Sequence, residues 1–197
     1  MRLNRVEFAL MNNPVRAAIQ RRIEARRLLE MGGVMRGGTA LEIGCGRGVG
    51  VEIILDLFGA ERVDAFDLDP RMIDRARGRL RDRGTRVRLW TGDATSVPAD
   101  SGTYDAVFDF GIIHHVPGWR DAVAEVGRVL RPRGRFYAEE VFGKFISRRF
   151  VKRLLEHPEH DRFGHDQFCA ALTGAGLELI ASSQLWGAGG WFIAEKR

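Results

Sequence analysis

The 197-residue chain alternates two kinds of apolar spacing. Short runs, apolar at most positions, occur at 40–43, 62–67, 87–91, 104–110 and 136–141. Between them, apolar residues recur at three- and four-residue steps: Val51, Ile54, Leu55; Met72, Ile73, Ala76, Leu80; Val123, Val126, Val129, Leu130. Runs of the first kind suit parallel strands buried on both faces, and the second spacing suits amphipathic helices. Five strand–helix alternations, then a hairpin at 177–184 and 190–195, predict an α/β fold. Its sheet is mostly parallel, with helices on both faces. Further helices are predicted over 15–31, 142–155 and 167–175. Asp69-Pro70 reads as the N-cap and first residue of the helix over 70–83. Residues 131–135 read as a turn.

The first strand runs into Leu41-Glu42-Ile43-Gly44-Cys45-Gly46-Arg47-Gly48-Val49-Gly50. A strand that turns through glycines into a helix brings bare backbone against a ligand, with free N–H groups behind it. A dinucleotide fingerprint needs Gly-x-Gly-x-x-Gly. From Gly44 the third glycine falls on Val49, and from Gly46 it falls on Val51. The pattern is instead Glu-x-Gly-x-Gly-x-Gly, and the carboxylate of Glu42 suits a ligand with a cationic end better than a pyrophosphate.

This stretch resembles the first motif of the class I S-adenosylmethionine-dependent methyltransferases. Three later stretches resemble the same family: Gly92-Asp93-Ala94, Ile113-His114-His115-Val116, and Val129-Leu130-Arg131-Pro132-Arg133-Gly134. The resemblance implies a Rossmann-like seven-stranded sheet of order 3-2-1-4-5-7-6 with strand 7 antiparallel. Residues 1–38 are then expected as a helical lid or cap and 39–197 as the methyltransferase domain, together one compact domain. The implied cofactor is S-adenosylmethionine. Asp67, at the tip of the second strand, offers two accepting oxygens to a vicinal diol and is expected to hold the ribose. Asp93 is expected at the adenine. The full cofactor-binding set is Glu42, Gly44, Cys45, Gly46, Asp67, Leu68, Asp93, Ala94 and Phe110. His114 and His115, after the fourth strand, and Glu139, at the end of the fifth, are the candidate catalytic residues for an acceptor that must lose a proton. Glu139 and Glu140 are adjacent strand residues, so one should face the interior and the other solvent.

Composition narrows the acceptor little. The hydrophobic fraction of 45% and charged fraction of 29% fit a soluble globular domain. The net charge is +5, and lysine occurs only at Lys144, Lys152 and Lys196, so the basic residues are almost all arginine. They are spread along the chain and read as an arginine preference, so no nucleic-acid partner is expected. A basic face at 144–155 (Arg148, Arg149, Lys152, Arg153) can lie on an anionic membrane or serve as the wet side of a lid. Cys45 and Cys169 form no Cys-x-x-Cys pair, and no Cys/His spacing matches a zinc site. No metal is therefore expected, although His157-Pro158-Glu159-His160-Asp161 has a metal-binding composition. Neither a signal peptide nor a spanning segment is apparent, and the cytoplasm is the expected compartment. The expected function is methyl transfer to an O, N or C nucleophile of a small molecule by in-line displacement. The alternatives are a lipid headgroup or RNA as acceptor, or a module that binds the cofactor without catalysis.

Overall fold

The computed structural model describes residues 13–35, 37–142, 162–185 and 187–197. The stretch before residue 13, the basic helix expected within 142–155, and His157 and His160 lie outside the described residues.

Seven strands form one sheet: β1 (Thr39–Ile43), β2 (Arg62–Asp67), β3 (Val87–Thr91), β4 (Tyr104–Phe110), β5 (Leu130–Val141), β6 (Leu177–Leu185) and β7 (Gly189–Lys196). Their order is β3-β2-β1-β4-β5-β7-β6. The first five pair in parallel, and β7 runs antiparallel to both β5 and β6. The implied topology is therefore present, strand reversal included. The order turns back between β1 and β4, which opens a crevice at their carboxyl ends, where ligands bind in open α/β sheets.

Helices cover both faces. On one lie α1 (14–32), α2 (49–58) and α3 (Pro70–Leu80). They bury Ala25, Leu28, Val51, Ile54, Ile73 and Leu80 against Phe108, Tyr137 and Ile193. On the other, α4 (Trp119–Val129) and α5 (His165–Gly174) bury Trp119, Val123, Phe168 and Leu172 against Phe136 and Phe192. The helix at 70 starts as read: Asp69 accepts the Arg71 N–H at 3.0 Å, and Pro70 occupies the first turn. It stops at Leu80, short of the expected 83, and tightens into the 3₁₀ segment Arg81–Arg86, where Gly84 takes non-helical dihedrals.

Several features depart from ideal elements, among them a π segment at Ile54–Phe58 in α2 and a register shift between β6 and β7 at Leu179/Ala181. The turn expected at 131–135 is a bulge inside β5: Tyr104 pairs with Leu130 and Ala106 with Arg135, so the residues between loop out and Arg133 takes φ 63°. Helix α1 carries a π turn at Gln20–Glu24 between Pro14–Ile19 and Ala25–Gly32. Such wide turns recur at functional sites. The C-terminal end of α1 is pinned to the sheet, where the Gly32 carbonyl accepts Arg135 Nη1–H at 2.7 Å and Tyr137 O–H at 3.1 Å. Gly32 itself lies so close to the Tyr137 ring that a Cβ would overlap it.

Candidate functional site

Register brings the acids together. Ile43 pairs with Phe66 on one side and with Asp109 on the other, and Phe110 pairs with Glu139. The tips of β1, β2, β4 and β5 therefore present Glu42, Asp67, Asp109, Glu139 and Glu140 along one edge. A cavity of about 180 Å³ opens there. Glu42, the glycine loop 44–47 and Asp67–Asp69 form its floor and one wall. Gly92–Ala94, Phe110–Ile112 and His115–Pro117 form the other, and Arg16, Ala17 and Gln20 of α1 roof it. All nine expected cofactor residues line this cavity.

Glu42 is 2% exposed and lies beneath the first turn of α2. The Val51 N–H faces the carboxyl, whereas Oε2 is buried and receives no hydrogen bond from the described residues. Burial, then the charges of Asp67 and Asp109, push its carboxyl well above the usual range. Gly50 has no alternative here, because a Cβ would overlap Glu42 Oε1. Gly46 differs: it sits at φ 52°, and a Cβ would meet no atom of the described residues within 4 Å. That open space is a cradle for a ligand. Gly44, at φ 66°, is closed instead by Ile112, whose Cγ2 lies 2.6 Å from where a Cβ would stand.

Asp67 ties two loops together. Its Oδ2 accepts the Gly46 N–H and its Oδ1 the Asp69 N–H, both at 2.9 Å. Each oxygen keeps a second lone pair for a ligand hydroxyl. Burial raises its carboxyl pKa, and the two N–H bonds oppose that. Asp93 holds its own loop: Oδ1 accepts the Thr95 N–H at 2.9 Å and the Thr95 hydroxyl at 2.8 Å. Ala94 is buried beside it, and Leu68 is 41% exposed at the rim. Burial also pushes the Cys45 thiol up, so it contributes shape rather than a nucleophile.

The three catalytic candidates lie at different depths. His115 is on the cavity wall. His114 sits behind it, ring centroids 4.2 Å apart, with Nδ1 at 2.6 Å from Glu140 Oε2. Burial lowers the His114 pKa to about 4, so its imidazole is neutral at pH 7. Glu139 is covered by α1. Its carboxyl is pushed well up by burial and then by the facing Glu24, and the Arg16 cation opposes this. Arg16 Nη1 donates to Glu24 Oε2 at 2.6 Å. The alternation expected at 139 and 140 thus exposes neither side chain fully: Glu139 is half-buried and Glu140 is 1% exposed. The reason is that both sheet faces are roofed, one by α1 and the other by the 3₁₀ turn Ile113–His115. Arg16, Gln20, Glu24 and the Asp109–Glu140 pair escaped sequence reasoning. The available signal was acids inside otherwise apolar strand ends.

The site suits a ligand with a cationic tail and a vicinal diol: a buried carboxyl oxygen without a donor among the described residues, an open glycine, and a carboxylate with spare lone pairs lie in one cavity. Comparison with known proteins agrees. Residues 40–134 match the family described as "Methyltransferase domain". A probable S-adenosylmethionine-dependent methyltransferase of Mycolicibacterium smegmatis is 35% identical over 100 residues, 51% of this chain and 37% of that protein. A fatty-acid O-methyltransferase of the same organism is 28% identical over 124 residues, 63% of this chain and 44% of that protein. The chain thus matches less than half the length of these curated relatives. Among solved structures, a SAM-dependent methyltransferase from Aquifex aeolicus superposes with a TM-score of 0.74 at 16% identity, covering 100% of both chains, which speaks for the fold. Glycine loop, strand order and matched domain agree: residues 40–134 are a methyltransferase domain, set in a sheet with the strand order of the class I S-adenosylmethionine-dependent methyltransferases.

Proposed function

We propose that this chain moves a methyl group from S-adenosylmethionine to an O, N or C nucleophile of a small molecule by in-line displacement. One observation carries the reading: Glu42 Oε2, buried without a donor among the described residues, shares a cavity with the open Gly46 and the two-oxygen face of Asp67. When bound, the cofactor supplies the electrophilic methyl group and a neutral thioether leaving group. The residues do the rest. Glu42 receives the ammonium of the amino-acid tail, the 44–46 backbone takes its close approach, Asp67 accepts from the ribose hydroxyls, and Asp93 faces the adenine.

The acceptor enters between His115 and the roof formed by Arg16 and Gln20 of α1, whose segment acts as the lid. Catalysis here is mainly alignment of nucleophile, carbon and sulfur. His115, on the wall, is the better placed of the two histidines to take a proton from an acceptor hydroxyl or ammonium. His114 and Glu139 act from behind.

A second reading has an acyl or lipid acceptor. Its support is the apolar wall Phe110, Ile112, Val116 and Pro117 and the likeness to a fatty-acid O-methyltransferase. Incubation with methyl-labelled S-adenosylmethionine and a panel of fatty acids, amines, phenols and phospholipid vesicles, read by mass spectrometry, tests both. Label in a soluble small molecule supports the first reading, and label in fatty acid or lipid the second. Tight binding of S-adenosylhomocysteine with no label transferred from the panel would favour a non-catalytic module.

A further inference from the structure

Beneath the cavity wall, two buried carboxyls hold the turn that carries the histidines. Glu140 Oε1 accepts the Ile113 N–H at 2.8 Å, and its Oε2 accepts the His114 N–H at 3.3 Å and lies 2.6 Å from the His114 ring Nδ1. Asp109 Oδ1 accepts the Ile112 N–H at 2.9 Å. Asp109 and Glu140 are 0% and 1% exposed. The remaining oxygen, Asp109 Oδ2, receives no N–H or O–H from the described residues, and the two carboxyls lie close enough for each to shift the other's proton affinity. Two carboxylates cannot both stay ionised in contact inside a protein, so the pair holds a proton.

The hydrogen-bond pattern says which oxygen carries it. Glu140 accepts a backbone N–H on each oxygen and has the imidazole Nδ1 beside it. Above about pH 7, where it is ionised, it is an acceptor on both sides. Asp109 accepts on one oxygen and finds no donor for the other among the described residues, so it is the better holder of the shared proton. Burial and then the Glu140 charge push the Asp109 carboxyl well up, whereas Glu140, with its donors, rises only to about 7.

We propose that Glu140, with Asp109 holding the proton the pair shares, is a positioning residue of this site: it fixes His114 as the Nδ1–H tautomer and locks the turn that sets His115 and the 111–112 backbone against the cavity. This rests on the function proposed above for its catalytic consequence, but the geometry stands without it. The reaching side chain comes from β5 and the turn from the end of β4, so the clamp spans two strands. His115 is packed on the clamped ring of His114 and inherits its orientation.

The donor–acceptor pattern makes the two acids unequal in a way that bulk and burial do not. Asn at 109 reproduces one acceptor and one donor. Gln at 140 turns an N–H₂ toward a donor whichever way its amide flips. The experiment compares wild type, Asp109→Asn and Glu140→Gln, labelled with ¹⁵N in histidine rings and backbone, with and without S-adenosylhomocysteine. In wild type, His114 should be the neutral Nδ1–H tautomer. Asp109→Asn should keep it, with amide exchange at Ile112–His114 changed by less than about threefold. Glu140→Gln should lose the single tautomer, shift the His115 ring signals, and speed exchange of the Ile113 and His114 amides at least about tenfold. Turnover of whichever panel acceptor is methylated should fall more than about tenfold in Glu140→Gln and less than threefold in Asp109→Asn. An Nε2–H or charged His114 in wild type would overturn the proposal, as would two variants that behave alike. The wild-type tautomer decides even if a variant fails to fold. Absence of any methyl transfer would count against the proposed function and leave these signals to judge the clamp.

Discussion

Replacing Glu42 by Gln isolates the charge that the account places under the cofactor tail. In the folded protein burial holds this carboxyl well above its usual range, with Asp67 and Asp109 adding to the effect. It is therefore protonated over part of the range in which an exposed glutamate is ionised. The Val51 N–H faces a side-chain oxygen in either residue, so Glu42→Gln should change unfolding stability by less than about 1 kcal/mol near the pH of the protonated form. Binding is different. A ligand ammonium meets Oε2, which has no other donor among the described residues, and forms a charge-assisted bond worth about 1.5–3 kcal/mol. Losing it weakens affinity about 10- to 150-fold. The arriving cation also favours the ionised carboxyl, so binding expels a proton, and affinity rises with pH until the free carboxyl is itself ionised. Calorimetric titration with S-adenosylhomocysteine in two buffers of different ionisation enthalpy reads the affinity and the released proton together. The account expects fractional proton release in wild type, and in Glu42→Gln a weaker affinity without this release. Equal affinities and no buffer dependence in either protein would refute the reasoning.

Other outcomes follow from the same geometry. Asp67→Ala removes the anchor of the Gly46 N–H together with the sugar contact, and should weaken S-adenosylhomocysteine binding by at least about 1.5–3 kcal/mol by calorimetry. Gly46→Val meets open cavity rather than protein, so it should abolish binding while thermal unfolding shows only the cost of a left-handed β-branched residue, about 1–2 kcal/mol. Gly44→Val, by contrast, collides with Ile112 and should lower the melting temperature as well. Gly32→Ala drives a methyl into the Tyr137 ring and should cost about 1–3 kcal/mol in denaturant unfolding by displacing the end of α1. Stability should also fall as pH rises from the ordinary carboxylate range through about 7. Glu42, Asp109, Glu139 and Glu140 all keep their protons higher in the folded chain than in the unfolded one, and this outweighs His114, which is held neutral down to about 4, so the unfolded state binds fewer protons over that window. Urea titrations of wild type and Glu140→Gln at pH 4.5 and 7.5 check the slope, which should be shallower in the variant.

Much of this was legible because local chemistry and tertiary role coincide. β2 and β4 lie where their apolar runs ended, since a central parallel strand is apolar on both faces and its flanking glycines and aspartates cannot extend it. Asp69-Pro70 capped its helix because both residues act within one turn. The glycine loop advertised its ligand through a local pattern with few other uses. What escaped depends on contacts between residues distant in sequence. Nothing near Asp109 announces that Glu140 shares its proton, and nothing near Glu24 announces that it faces Glu139 from the roof of the site. The expectation that Glu139 or Glu140 would meet solvent failed for the same reason: strand alternation assigns faces, but which faces are roofed is decided by packing. The β5 bulge is a further case. The turn residues were recognised, yet the strand resumed its pairing on both sides of them.

The most direct measurement is a crystal structure grown in excess S-adenosylhomocysteine. The account expects the amino-acid tail over Gly44–Gly46 with its ammonium on Glu42 Oε2, the ribose on Asp67, and the sulfur facing His115. Density for the compound at another surface, with the cavity between Glu42 and Asp67 left without it, would contradict the account.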